Sequence, residues 1–308
     1  MTQQYLRALK VVIGNGNEAY EFSDLHCRFQ VRNADVQTLK TLDLTIYNVS
    51  KDMANRIGQK EFTRVEVSAG YQGNLGLIFQ GDLTMIRLGW ENATDSYVSI
   101  QAADGDLAFN WGISNISLAK GYLPSDIYKK ALQDLSKFGI SQGYKPEFSQ
   151  NPSNDALAFC GMTRDLLRGL ADNQKCRWSI ENGQLNFLPI NSVYPGAVPL
   201  ITPASGLIGY PTQTLSGIEM LCLLNPQIRA GGKVNLGNSS INTLSITEKL
   251  QTPAVVPTID GAGAYKVAQA IHTGDSRGNS WYTNIIGVAV DGTAPLVGPT
   301  QTQVPDNG

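Results

Sequence analysis

The sequence predicts a mainly β chain with a small α+β insertion: two β-barrel or sandwich domains flanking a helix–helix–hairpin unit. Three observations carry this prediction. Apolar and polar residues alternate over short runs in the first hundred residues and again after residue 196. Apart from one short helical candidate in the first part, apolar residues at helical spacing fall in the middle of the chain. Charged residues make up 16% of the chain, against roughly 25% in an average soluble domain, and glycine is abundant at 31 residues; short strands and many turns have that composition.

Residues 1–104 read as strands. In LHCRFQVR, Leu25, Cys27, Phe29 and Val31 alternate with His26, Arg28, Gln30 and Arg32, a strand with one wet face. TLDLTIYN repeats the pattern through Leu42, Leu44 and Ile46. VEVSAGYQGNLGLIFQGDL reads as a hairpin turning at Gln72-Gly73-Asn74, and DSYVSIQAADGD as a further strand that ends in a turn. One helix is expected here, over NVSKDMANRI, with Ser50 as its N-cap.

Residues 105–195 read as the α+β unit. LPSDIYKKALQDLSKFGI carries Ile127, Ala131, Leu132, Leu135 and Phe138 on one stripe, with Ser125 expected as cap and Gly139 as stop. GMTRDLLRGLADNQ is a second helix, capped by Thr163, with Met162 and Leu167 placed as a staple. CRWSIENGQLNFLPI is a hairpin turning at Asn182-Gly183.

Residues 196–290 return to β. GIEMLCLLNP places Ile218, Met220, Cys222 and Leu224 on one face, yet Leu221 and Leu223 make the other apolar as well. That strand is expected to be buried on both sides or to lie in an interface. AYKVAQAIHTGDSRGNSWYTNIIGVAV reads as two long strands around a polar turn, with Lys266, Ala268, Ala270 and His272 on one face. The segment 238–263 is expected to be a long loop or small flap, and 291–308 an extended, Pro/Gly/Thr-rich C-terminal tail.

Net charge is −2, which gives no sign of nucleic-acid or anionic-membrane binding by the whole chain. No run approaches about 18 apolar residues and the N-terminus has no signal-peptide core, so synthesis in a cytoplasm is expected. Cys27, Cys160, Cys176 and Cys222 do not form a disulfide framework. All four are expected to be reduced, Cys27 and Cys222 as buried thiols, although Cys160 and Cys176 flank a predicted helix and leave a pairing open.

Each candidate for chemistry has a simpler structural reading. His272 and Asp275 suggest a base and its orienter, but Gly274-Asp275-Ser276-Arg277-Gly278-Asn279 has the composition of a hairpin loop. Gly14, Gly16 and Ala19 match a dinucleotide-loop pattern, yet strand-like sequence follows where a helix is required, so a turn is expected. His26 and His272 lie far apart, and no Cys/His or Asp-rich spacing fits zinc or calcium. Asp104, Asp106 and Glu181 have nothing to single them out as paired carboxylates for glycoside hydrolysis. Trp90, Trp111, Trp178 and Trp281 are scattered, which favours core or interface packing over a sugar platform. The expectation is therefore no enzyme, no catalytic residue, no cofactor and no metal.

In order along the chain, VSAGYQGNLGLIFQGDLTMIRL (Val67–Leu88), DSYVSIQAADGD (Asp95–Asp106), WSIENGQLNFLP (Trp178–Pro189), SGIEMLCLLNPQIRAGGKVNL (Ser216–Leu236) and YKVAQAIHTGDSRGNSWYT (Tyr265–Thr283) resemble the baseplate hub proteins of tailed phages, late-control protein D-like. The resemblance implies two tail-tube-like barrels in one chain, residues 1–104 and 196–290, around the insertion. It implies a homotrimer whose six barrels adapt a sixfold tail tube to a threefold spike or tip, with a lumen for the tape-measure protein and then DNA, which passes without specific binding. Implied partners are the tail tube or distal tail protein and the spike or tip protein, and the implied location is the virion tail, assembled in the host cytoplasm. Two other classes compete: a carbohydrate-binding tail-tip adhesin module, suggested by the Asn/Thr/Gly-rich β composition, and a peptidoglycan hydrolase.

Overall fold

A computed structural model describes residues 6–214, 217–237, 241–242 and 263–290. The first part holds strands β1 (Arg7–Gly14), β2 (Ala19–Glu21), β3 (Cys27–Ala34) and β4 (Thr41–Tyr47), helix α1 (Lys51–Gly58), then β5 (Arg64–Tyr71), β6 (Asn74–Trp90) and β7 (Ser96–Ala103). The middle holds α2 (Asp106–Trp111), β8 (Ile113–Leu118), α3 (Pro124–Ser136), β9 (Ser141–Gln142), β10 (Leu157–Met162), α4 (Thr163–Asn173), β11 (Cys176–Glu181) and β12 (Gln184–Pro189). The last part holds β13 (Leu200–Ile201), β14 (Leu207–Thr214), β15 (Gly217–Leu223), β16 (Lys233–Leu236), β17 (Ala264–Asp275) and β18 (Trp281–Ala289).

The chain is mainly β, as the alternation predicts. Cys27, Phe29 and Val31 of β3 and Leu42, Leu44 and Ile46 of β4 are all buried, with their polar neighbours facing outward. The β5–β6 hairpin closes through Gln72-Gly73, and Gly73 adopts φ +84°. Ser50 caps α1, its hydroxyl accepting from the backbone N–H of Met53. Asn182 and Gly183 join β11 to β12 with φ +52° and +71°, the two left-handed residues of a type I′ turn.

Two expected caps are displaced. Helix α3 begins at Pro124 with Leu123 as its N-cap; Asp126 closes the turn by accepting from the Leu123 N–H at 3.0 Å, which leaves Ser125 inside the helix. Thr163 is the first residue of α4 and Met162 its cap, because the fully buried Thr163 hydroxyl is engaged with Ser114 Oγ at 2.9 Å. The sequence after Asp104 turns and then forms α2, and β8 pairs with β10, beyond α3 and β9 in the chain, into a two-stranded antiparallel sheet of its own.

One antiparallel path runs β14-β15-β18-β17-β3-β4-β7-β6-β5-β1-β2, so the first and last parts of the chain share a sheet. The joint is β17. Its first residues pair with β16, and Gln269–Asp275 pair with β3. A bulge at Ala268 separates the two stretches. That bulge shifts the alternation, so Val267, Ala270 and His272 face the interior and the expected common face of Lys266, Ala268 and Ala270 is broken.

Three buried clusters lie along the chain. The first packs Ile13, Val65, Phe79 and Ile100, and receives Trp281 from β18. The second packs Tyr128, Leu167, Trp178 and Phe187. The third packs Ile218, Val234, Tyr265 and Ile285. Trp281 is fully buried, meets Phe29 edge-on and donates from Nε1 to Gly70 O at 3.0 Å.

Strand β15 is not buried on both sides within the chain. Met220 and Cys222 point into the third cluster, while Leu221 is 37% exposed on the opposite face. The expected loop 238–263 lies outside the described residues except at Ile241, Asn242 and Gly263, where Asn242 bridges Thr212 of β14. The expected C-terminal tail, 291–308, lies outside them entirely.

Candidate functional surface

The stretch around His272 is a hairpin. Residues 276–280 connect β17 to β18, and the histidine and aspartate serve different partners. His272 is buried with Nδ1 2.9 Å from Thr283 Oγ1; burial, together with the charge of Lys40, takes its pKa down to about 3, so the ring stays neutral. Asp275 accepts at Oδ1 from the N–H groups of Arg277 and Gly278, which folds the turn. Its carboxylate also holds His26 Nε2 at 2.8 Å and Arg28 Nε at 2.9 Å. Burial alone would raise its pKa, but the hydrogen bonds from Arg277, His26, Arg28 and Gly278 outweigh that and bring it to about 2. Sequence spacing gave no sign of the His26–Asp275 contact, because 249 positions separate the partners.

The other candidates also have structural roles. Gly14 ends β1, and Asn15 accepts from the N–H groups of Asn17 and Glu18 before strand β2, so no helix N-terminus is available for a pyrophosphate. Asp106 lies in the first turn of α2 and accepts from Asn110 Nδ2. Trp178 and Trp281 are core residues, whereas Trp90 and Trp111 are 64% and 69% exposed. Cys27, Cys176 and Cys222 are buried and Cys160 exposed, all four as free thiols. Burial pushes Cys27 and Cys222 up to about 12, so neither is a nucleophile near neutral pH. Among the described residues no group of three or more His, Cys, Asp or Glu is placed to hold a metal ion.

Asp104 and Glu181 meet, but in a closed junction. Asp104 follows β7, is 1% exposed, and accepts from the N–H groups of both Asn182 and Gly183, so the first part of the chain grips the turn of the β11–β12 hairpin. Lys40 faces both carboxylates and reaches Asn182 Oδ1 at 3.4 Å. Burial raises the Asp104 carboxyl to about 7 against the pull of Lys40 and the two N–H donors, and it raises Glu181 as well. Next to them Asp35 binds Lys266 Nζ at 2.7 Å and Arg177 at 3.0 Å. The cavity beside Glu181, also lined by Asp35, Arg177 and Tyr194, measures about 10 Å³, room for one water and no sugar. The junction binds the three parts of the chain together; its members are scattered from Asp35 to Lys266, and only the lysine inside the apolar run AYKVAQA hinted at it.

The surface that spans the molecule is the open face of the shared sheet. Directly paired residues put Leu223, Tyr282, Thr273, Gln30, Asp43, Gln101 and Met85 in one row across seven strands, and at its end Leu223 is half-buried against the first core. The adjoining row runs Leu221, Asn284, Ile271, Arg32 and Thr41. Thus the wet face of β3 and the outer face of β15 are one continuous surface, with Leu221 exposed beside Glu219 at one end and Arg28, Arg32 and Asp43 in the middle.

This fold has solved counterparts. The 43 kDa tail protein of prophage MuSo2 from Shewanella oneidensis superimposes with a TM-score of 0.57 at 10% identity, covering 92% of this chain and 98% of that one. A tail protein from Neisseria meningitidis MC58 gives 0.55 at 11% identity, covering 92% and 96%. The chain has a phage tail-protein fold. An Escherichia coli component of the type VI secretion system, itself structurally similar to the T4 bacteriophage tail proteins gp27 and gp5, matches with a TM-score of 0.53 at 10% identity, covering 86% of this chain and 73% of that one. No protein-family model and no curated protein matches the chain.

Proposed function

We propose that the chain is a structural hub at the tip or baseplate of a phage tail, working by position rather than by catalysis. In this reading residues 1–104 and 196–290 are two tail-tube-like domains and 105–195 is an insertion between them. Three copies form a ring that adapts a sixfold tail tube to a threefold spike or tip and encloses a lumen for the tape-measure protein and DNA. The neighbours are a tail tube or distal tail protein on one side and a spike or tip protein on the other.

The observation that carries this reading is the single antiparallel path through both β parts, joined at β17–β3. It supports a pair of β units set in fixed orientation, as a ring of alternating units requires. The likeness to a prophage tail protein from Shewanella oneidensis and a tail protein from Neisseria meningitidis supports the setting. The exposed Leu221 on the outer face of β15 supports a contact at that end of the open face.

Native mass spectrometry with negative-stain imaging tests it. Three copies, 3 × 33.3 kDa or about 100 kDa, around a central hole are expected. A monomer that stays single even when mixed with tail-tube and spike proteins refutes the ring.

A further inference from the structure

The middle part of the chain contains a half-open groove of about 420 Å³ that the ring reading does not use. Its apolar lining is Ile127 of α3, Leu157 and Phe159 of β10, and Leu166 and Leu170 of α4. The volume lies in the range of ligand pockets and holds two or three side chains.

Two further features point to an occupant. Gly169 lines the groove in the interior of α4, where glycine weakens a helix relative to alanine. Nothing internal requires it: a Cβ built there meets no atom within 4 Å, and no positive φ is involved. A bare helix surface beside an apolar groove lets an outside chain approach closely. The second feature is charge. The segments 122–127, 151–159 and 165–173 carry Asp126, Asp155, Asp165 and Asp172 against Arg168; of these carboxylates Asp165 lines the groove, while Asp126 closes the first turn of α3 and is paired with Lys129 at 3.4 Å. The one ion pair of Asp165, to Arg168, is half-exposed.

We infer that this groove docks a cationic amphipathic segment of a partner protein, with apolar side chains on the floor between α3, α4 and β10 and a Lys or Arg beside Asp165. The helix surface at Gly169 sets how close the segment lies. The docking belongs to the insertion and does not depend on the ring, so it stands or falls separately from the trimer.

The test uses the full-length protein and two synthetic 14-residue peptides of the same helical pattern, one of Leu and Lys and one of Leu and Glu, read by fluorescence anisotropy. The Leu/Lys peptide should bind at least tenfold more tightly than the Leu/Glu peptide. Gly169→Leu should weaken that binding at least tenfold while thermal stability stays equal or rises. Asp165→Lys, an exposed change that does not touch the core, should do the same and keeps the test decisive should Gly169→Leu disturb the helix. Equal binding by wild type and both variants, equal binding of the two peptides, or no binding of either overturns the proposal. Self-association abolished by Gly169→Leu would instead assign the groove to a second copy and overturn it too.

Discussion

Replacing Asp104 by alanine should be the costliest single change at the junction. The carboxylate is 1% exposed and accepts from the N–H groups of Asn182 and Gly183, so its removal strands two buried donors and takes one counter-charge from Lys40. At about 1–3 kcal/mol for each of the two orphaned donors, the loss is about 2–6 kcal/mol. Its pH dependence has a definite sign. The folded-state pKa is raised to about 7 from the ordinary aspartate value of 3.8, so between these values the folded state holds the extra proton. Stability from this group is therefore fully present below about pH 4 and falls as pH rises toward about 7, by at most about 1.4 kcal/mol per pH unit. The assay is urea denaturation of wild type, Asp104→Ala and Asp104→Asn from pH 4.5 to 8. The difference between wild type and Asp104→Asn isolates the carboxyl, because His272 titrates in both proteins. That difference should shrink as pH rises. A difference that grows with pH would mean that the pair with Lys40 outweighs burial and would refute the reasoning, as would an Asp104→Ala cost below about 1 kcal/mol.

His272 should show the opposite trend: its pKa is lowered to about 3, so stability is present above about pH 6.5 and lost below it, and in His272→Gln the acid-side loss should flatten in the same denaturation series. Trp281→Ala should cost about 3–5 kcal/mol and loosen the first core as well as the hairpin, read as a lower urea midpoint. Gly183→Ala places a Cβ at φ +71° and should cost about 1–2 kcal/mol in the same assay. Leu221→Glu should leave the monomer folded but abolish assembly in native mass spectrometry, whereas Gln30→Glu on the same open face should assemble; equal tolerance would count against the Leu221 end as a contact.

Local chemistry was the legible part of this sequence. Ser50, Gln72-Gly73 and Asn182-Gly183 act on neighbours within four positions, and each forms the expected cap or turn. The displaced caps show a limit of that reasoning: Ser125 and Thr163 are good capping residues by type, but Pro124 starts α3 earlier, and Ser114 recruits the Thr163 hydroxyl from 49 positions away. The continuous open face was not legible, since no pattern announces that β17 turns from β16 to β3 at a bulge. Nor was the junction, whose buried charges look like ordinary surface residues until Asp35, Lys266 and Arg177 are brought together. His272, Asp275, Asp104 and Glu181, weighed in the sequence as candidates for chemistry, have structural partners in the fold.

The pairing of β3 with β17 has a consequence for synthesis. When the first part of the chain leaves the ribosome, β3 has β4 on one side and nothing on the other, and the seat of Trp281 in its core is vacant. About 240 residues must follow before the missing strand is complete, a wait of about 12–48 s at bacterial elongation rates of about 5–20 residues per second. Throughout that interval the nascent chain presents an unpaired strand edge to every other copy on the same messenger. Arg28 and Arg32 stand at the outward positions of that strand, and like charges there oppose edge-to-edge pairing of two copies.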